Sequence, residues 1–236
     1  MCGIVGFAGI GLPAEQATGR LRAMCDSIRH RGPDSDGYFV REGVAMGMRR
    51  LSIIDIAGGD QPISNEDGSV TVVFNGEIYN HHRLRGELTA AGHRFTTRSD
   101  TEVLVHLYEE YGTDMARRLQ GMFAFSIWDS RRQRLFIARD RTGMKPLSYA
   151  LRGDGIVYGS ELRALYAFDR SALRVAPAAV MEYLAFGYVP DPNSIFEGVS
   201  KLPAGHFLLW SPGGPLQVQR TGNHRSPTRL CAISLS

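Results

Sequence analysis

Residues 123–139 read FAFSIWDSRRQRLFIAR, and the fold class turns on this stretch. Phe123, Phe125 and Ile127 alternate with small or polar neighbours, Leu135 and Ile137 do the same further on, and the polar DSRRQR between them supplies a turn. Period-two alternation around a polar turn is the mark of a β-hairpin. Working outward, Tyr149–Leu151 and Ile156–Tyr158 form a second hairpin about Gly153-Asp154-Gly155. Upstream, residues 3–9 (GIVGFAG) read as a buried strand, followed by strand-like runs at Gly37–Arg41, Val44–Met48 and Val70–Phe74. Residues 13–30 carry Leu21, Met24, Cys25 and Ile28 at helical spacing, with Pro13 suited to a first turn. A second helix is expected over Leu84–Ala91. A third is expected from Ser99, where Ser99 and Glu102 have capping-box spacing ahead of Val103, Leu104, Leu107, Tyr108 and Tyr111. Two more fit Glu161–Phe168 and Pro177–Phe186. Strands thus fall in two blocks with helices grouped between and after them. That is an α+β pattern, not the βαβα rhythm of a parallel sheet.

The 236 residues are 43% hydrophobic and 22% charged, enough to bury a core without disulfide or metal support. The net charge of +3 is small and the arginines are scattered, with no basic cluster interleaved with aromatics, so nucleic acid is not an expected partner. No run approaches the ~20 apolar residues of a membrane span, and the opening MCGIVGFAGIGLP has no basic leader region, so a cytoplasmic protein is expected. Cys2, Cys25 and Cys231 are odd in number and widely spaced, which argues against a disulfide framework and against a zinc site; no metal is expected.

Cys2 follows Met1 directly. Removal of Met1 would leave a thiol and a free α-amine on one residue, the amine with a reference pKa of ~7.7–8.0 and so able to act as a base. Deprotonated, the thiol is a strong nucleophile. The plain alternative is a small hydrophobe at the start of a buried strand. Asn75-Gly76, in VTVVFNGEIYN, is by itself the strongest short signal for a type I′ hairpin turn. Its chemical alternative is an oxyanion hole, with the Asn75 amide and the Gly76 N–H as two fixed donors. Arg50 could grip an α-carboxylate bidentately, and Asp100 with Glu77 could receive an α-ammonium. Equally, Arg50 could lie on a solvated strand face and Asp100 could favour a helix dipole. In RHRGPD (residues 29–34), Gly32 and Pro33 stop a helix, and Arg31 either belongs to that turn or lies beside the site.

Together the segments MCGIVGF, RHRGPDSDG, RRLSIID, QPISNEDGSVTVVFNGEIYN, SDTEVLVHLYEEYG, GMFAFSIWD, ARDRTGMKPL, YGSELRAL and YLAFGYVPDPNSIFEGVSKLPAGH resemble, in order and spacing, the glutaminase domain of asparagine synthetases. That domain is a class II glutamine amidotransferase of the N-terminal nucleophile hydrolase superfamily. RHRGPD with RLSIID points to this branch rather than to the amidotransferases of glucosamine phosphate or purine synthesis. The resemblance implies a four-layer αββα sandwich of two mostly antiparallel sheets. It implies glutamine hydrolysis through a γ-glutamyl thioester on Cys2, with its own α-amine as base and Asn75 and Gly76 as the oxyanion hole. It further implies that Arg50 binds the glutamine α-carboxylate, that Leu51, Ser52, Ile53 and Ile54 line the pocket, and that Glu77 and Asp100 hold the α-amino group. Cys25 and Cys231 match no catalytic position.

The family continues into an ATP-using synthetase domain with an SGG-type loop, and nothing of that kind follows here; Gly213-Gly214 has the wrong context. The expected division is therefore an amidotransferase domain over residues 2–210 and a divergent, disordered tail over 211–236. LQVQR still fits the family up to Arg220, and TGNHRSPTRLCAISLS does not, as a truncation or frameshift would leave it. No cofactor is expected for glutamine hydrolysis, and ATP and Mg only with a synthetase domain. Glutamine is the expected ligand; a separate synthetase subunit or a second copy is the candidate protein partner. A non-catalytic glutamine-binding remnant is the alternative. Without the synthetase domain, Phe186, Tyr188, Val189, Ile195 and Phe196 are expected to form an exposed apolar patch.

Overall fold

The computed structural model describes residues 2–51 and 59–222. One six-stranded sheet contains β1 (Gly3–Ala8), β2 (Ser35–Arg41), β3 (Val44–Arg50), β8 (Ser148–Arg152), β9 (Gly155–Gly159) and β10 (Val199–Lys201), in the order β10-β8-β9-β1-β3-β2. The other contains β4 (Ile63–Ser64), β5 (Val70–Ile78), β6 (Gly121–Asp129), β7 (Arg134–Arg139), β11 (His206–Trp210) and β12 (Gln217–Arg220), in the order β12-β11-β7-β6-β5-β4. All the strand pairings are antiparallel. Helices α1 (Ala14–Ser27) and α4 (Leu162–Phe168) cover the first sheet; α2 (His81–Ala90) and α3 (Glu102–Tyr111) lie on the second. α5 (Pro177–Phe186) buries only Ala179.

Three apolar layers follow from this stacking. Ile4, Met46, Val73, Ala124, Ile137 and Tyr158 fill the space between the sheets. Leu21, Met24, Cys25 and Ile28 pack α1 onto Val5 and Phe7, and Leu104, Leu107 and Tyr108 of α3 pack onto Phe74, Phe125 and Ile127. Each such side chain, fully buried, contributes ~1.5–3 kcal/mol before entropy is counted. The result is the αββα order that the resemblance implied. A polar bond also joins the two sheets in the dry centre: Tyr158 of β9 and Ser126 of β6 share a hydroxyl–hydroxyl hydrogen bond of 2.6 Å. Gly6 makes room for it, since a Cβ there would sit 2.3 Å from the Tyr158 hydroxyl.

Both hairpins form where alternation placed them, as β6–β7 and β8–β9. Three local expectations change. β5 runs on to Ile78, so Asn75 and Gly76 face Ala124 and Phe123 within a nine-pair ladder and no type I′ turn forms. The Ser99–Glu102 capping box is also absent. α3 starts at Glu102, whose carboxylate takes the N–H and hydroxyl of both Thr96 and Thr97 instead of reaching back to Ser99. Finally, β12 pairs with β11, which carries the folded sheet past residue 210 to Arg220. Cys231 and the rest of the tail from residue 223 lie outside the described residues.

Candidate active site

β1 and β3 pair with Gly3 opposite Arg49, which sets Cys2 beside the end of β3. There the Leu51 N–H donates to Cys2 Sγ at 3.3 Å, and the thiol lies 3.5 Å from the Leu51 carbonyl. Arg31 holds the same end of the chain: its Nε donates to the Cys2 carbonyl at 2.9 Å and one Nη to Glu161 at 3.0 Å. Its other Nη is buried without a partner among the described residues. Arg31 is therefore a neighbour of Cys2 as well as the end of a helical turn. Gly32 permits the approach, because a Cβ there would lie 2.3 Å from the Arg49 carbonyl carbon.

A cavity of about 140 Å³ opens at Cys2, and Arg50, Leu51, Asn75, Gly76, Glu77 and Asp100 all line it. Ser52, Ile53 and Ile54 lie outside the described residues. Asn75 is 1% exposed, and among the described residues its amide nitrogen has no hydrogen-bond partner. A buried unpaired donor costs ~1–3 kcal/mol, so its placement here needs a reason beyond packing. Next to it Gly76 is sterically required: a Cβ would lie 2.1 Å from the Met122 carbonyl oxygen on β6. Arg50 is buried and donates to Asp60 at 2.7 Å, which fixes its guanidinium at the rim. Asp100 accepts the Ile78 N–H at 2.8 Å and lies near the Ser99 hydroxyl. Burial, seconded by the charge of Glu77, pushes the Asp100 carboxyl above its usual range. Two neighbouring carboxylates with little water around them favour a bound cation such as an ammonium.

Sequence reasoning passed over several further wall residues, Gln61 and Lys145 among them. Gln61 bridges β5 to the start of α3, accepting the Phe74 N–H at 2.6 Å and donating to the Thr101 hydroxyl at 3.4 Å. Lys145 is 5% exposed and also lines the cavity. Its backbone is set by Asp140, a buried carboxylate that collects the N–H groups of Phe123, Thr142, Met144 and Lys145. The only available signal was RTGMKPL, where a lysine sits in a turn otherwise rich in structural residues. Cys25 is remote from this chemistry: it is fully buried under α1, and burial pushes its thiol up to about 12.

A family model described as a glutamine amidotransferase domain matches residues 1–220. The chain belongs to that family. This amidotransferase domain is 42% identical over 218 residues to asparagine synthetase [glutamine-hydrolyzing] 1 of Bacillus subtilis (strain 168), covering 92% of this chain and 34% of that protein. It is 43% identical over 166 residues to asparagine synthetase [glutamine-hydrolyzing] 2 of Oryza sativa subsp. japonica, covering 70% of this chain and 28% of that protein. The chain thus spans about a third of the length of the curated relatives it matches. In fold it is similar to the glutamine phosphoribosylpyrophosphate amidotransferase of B. subtilis, with a TM-score of 0.67 at 21% identity, over 93% of this chain and 49% of that one. It is a homologue of the glutaminase part of asparagine synthetases. Among the described residues of the amidotransferase domain, no helix is long and apolar enough to cross a membrane.

Proposed function

We propose that the chain hydrolyses glutamine to glutamate and ammonia through a γ-glutamyl thioester on Cys2. The observation that carries this is the unspent Asn75 amide, buried in the same cavity as the Cys2 thiol. Met1 is removed first, and the freed α-amine of Cys2 accepts the thiol proton. Sulfur attacks the side-chain carboxamide carbon, and the Asn75 amide and Gly76 N–H take up the negative charge on its oxygen. The α-amine then returns the proton to the departing nitrogen, which leaves as ammonia. Water attacks the thioester, releasing glutamate and restoring the thiol. Arg50 binds the α-carboxylate and Glu77 with Asp100 the α-ammonium, so the substrate's charged end is gripped while its amide points at sulfur.

Every group in this sequence of steps is a protein group, and the reaction takes no cofactor; ATP and Mg2+ enter only with a synthetase part. A free nucleophilic thiol suits the reducing cytoplasm. Intact-mass measurement after exposure to a diazoketone analogue of glutamine tests the reading. Loss of Met1 together with one label on Cys2 is expected. A chain that has lost Met1 and takes no label would defeat the proposal.

One observation favours delivery of the ammonia to a partner over free release. Met181, Tyr183, Leu184 and Phe186 of α5, with Tyr188 beyond it, are all exposed, Leu184 at 72%. Val189, Ile195 and Phe196 are half-buried at its edge, Phe196 against the core of the first sheet. An apolar helix face of this kind fits a covering protein surface. We assign it to a synthetase part, in the same longer chain or in a separate subunit; self-association at this face would point instead to a homo-oligomer.

A further inference from the structure

At α3, outside the cavity lining, four side chains from three segments converge. Glu66 lies in the turn between β4 and β5, His93 follows α2, and His106 and Glu109 stand one turn apart on α3. Their donor atoms all lie within 4.8 Å of one another. His106 Nδ1 is 3.1 Å from Glu109 Oε2 and 3.6 Å from Glu66 Oε2, while His93 Nδ1 is 3.6 Å from Glu109 Oε2 and 3.9 Å from Glu66 Oε1. A tetrahedral ion with nitrogen and oxygen ligands at ~2.0–2.1 Å needs ligand-to-ligand edges of about 3.3 Å. The four histidine-to-carboxylate spacings run from 3.1 to 3.9 Å, around that value, and all the ligand atoms lie within 4.8 Å of one another.

The surroundings orient each group inward. His93 Nε2 is 2.9 Å from Glu110 Oε1, and as donor there it leaves the Nδ1 lone pair facing the centre. This histidine-to-carboxylate outer contact is what metal-bound imidazoles ordinarily make. Asn65 donates to Glu109 Oε1 at 2.7 Å, leaving Oε2 turned to the histidines. The Arg94 N–H donates to Glu66 Oε1 at 2.9 Å. His106 is 1% exposed between Phe95 and His93, and among the described residues its Nε2 has no partner, so the ring's polar contacts run through Nδ1 into the cluster. Two carboxylate oxygens and two imidazole lone pairs repel one another unless something positive sits among them.

We propose that Glu66, His93, His106 and Glu109 form a structural site for a divalent first-row transition metal, Zn2+ being the best match to two imidazoles and two carboxylates. All four positions come from the protein, as in closed structural sites, whereas catalytic sites keep one open. The ion ties the turn before β5 and the loop after α2 to α3. The segment leading into α3 carries Asp100 and Thr101 on the cavity wall, so the metal fixes the helix to which that wall is joined. The competing occupant is protons, with both imidazoles charged and paired to the carboxylates.

The test uses the full chain, stripped with a chelator and titrated with ZnCl2 and, separately, with CoCl2. One zinc retained per chain after dialysis is expected, with a cobalt spectrum of tetrahedral nitrogen and oxygen ligation that lacks a thiolate charge-transfer band. His93→Gln, at a partly exposed position, abolishes stoichiometric retention, and Glu110→Gln, which removes only the outer contact, weakens binding by about 10–100-fold. Zinc raises the melting temperature of the parent chain and not of His93→Gln. No retained metal in the parent chain, unchanged retention in His93→Gln, or a thiolate band showing cysteine ligation would each overturn the proposal.

Discussion

The cavity at Cys2 and the cluster on α3 both gather polar groups at one place, but the cavity is built mostly from buried residues while Glu66 and Glu109 of the cluster are exposed. Around Cys2 the unspent buried atoms are donors: the Asn75 amide nitrogen and one Nη of Arg31. At α3 the converging atoms are carboxylate oxygens and imidazole nitrogens. Surplus buried donors suit an anion or a developing oxyanion, and converging lone pairs suit a cation. The Cys2 cavity also holds Glu77 and Asp100, so it pairs donors for an anion with carboxylates for a cation, whereas the α3 cluster offers lone pairs alone. That difference separates groups that act during a reaction from groups that would only hold the structure together.

The largest effect that can break this comparison is at Cys2, the proposed nucleophile. Cys2→Ala should lower glutaminase turnover by at least about 10⁴-fold, measured as ammonia release, while glutamine still binds. Retained turnover would mean that the cavity's donors serve some other anion. Asn75→Ala removes the unspent donor and should cost about 10²–10³-fold in kcat with little change in KM. A change in KM alone would make Asn75 a ground-state contact. Asp100→Asn keeps an acceptor for the Ile78 N–H but removes charge, and should raise KM for glutamine by about 10–100-fold. Because the Asp100 carboxyl is pushed above its usual range, it loses its charge earlier than an ordinary carboxylate as pH falls. The parent enzyme's KM should therefore climb on acidification from neutral pH, and this climb should be absent in Asp100→Asn. The smallest effect belongs to neither cluster. Leu184→Ser on α5 should change stability by less than about 0.5 kcal/mol and reduce self-association or partner binding, read by denaturant melts and sedimentation.

How much of this could be read in the chain depends on where each residue's partners lie. The two hairpins and α5 were legible because alternation, polar turns and helical spacing are local patterns, and local backbone preference agreed with the final packing. Cys2, Arg50 and Asp100 each had a plain alternative until the order of motifs supplied the resemblance. Asn75-Gly76 shows the limit of local reading. Two residues that favour a turn in isolation became strand interior because β6 offers a continuous partner along β5. Ser99 and Glu102 show it again, since the Thr96–Thr97 donors outcompeted the cap.

Chain order and residue chemistry thus sufficed for an α+β class and for placing a cysteine next to the initiator Met, and the resemblance supplied the sandwich. Only three-dimensional packing decided that the Asn75 amide goes unpaired, that Lys145 and Gln61 enter the wall, and that two histidines meet two glutamates. The reason is that periodicity reports which side of an element faces a core, whereas a polar atom's partner is set by contacts across dozens of residues. Cysteine spacing spoke against a zinc site because it searches one ligand type along the chain; donors split among SNED, GHRF and VHLYEE leave no such spacing to find.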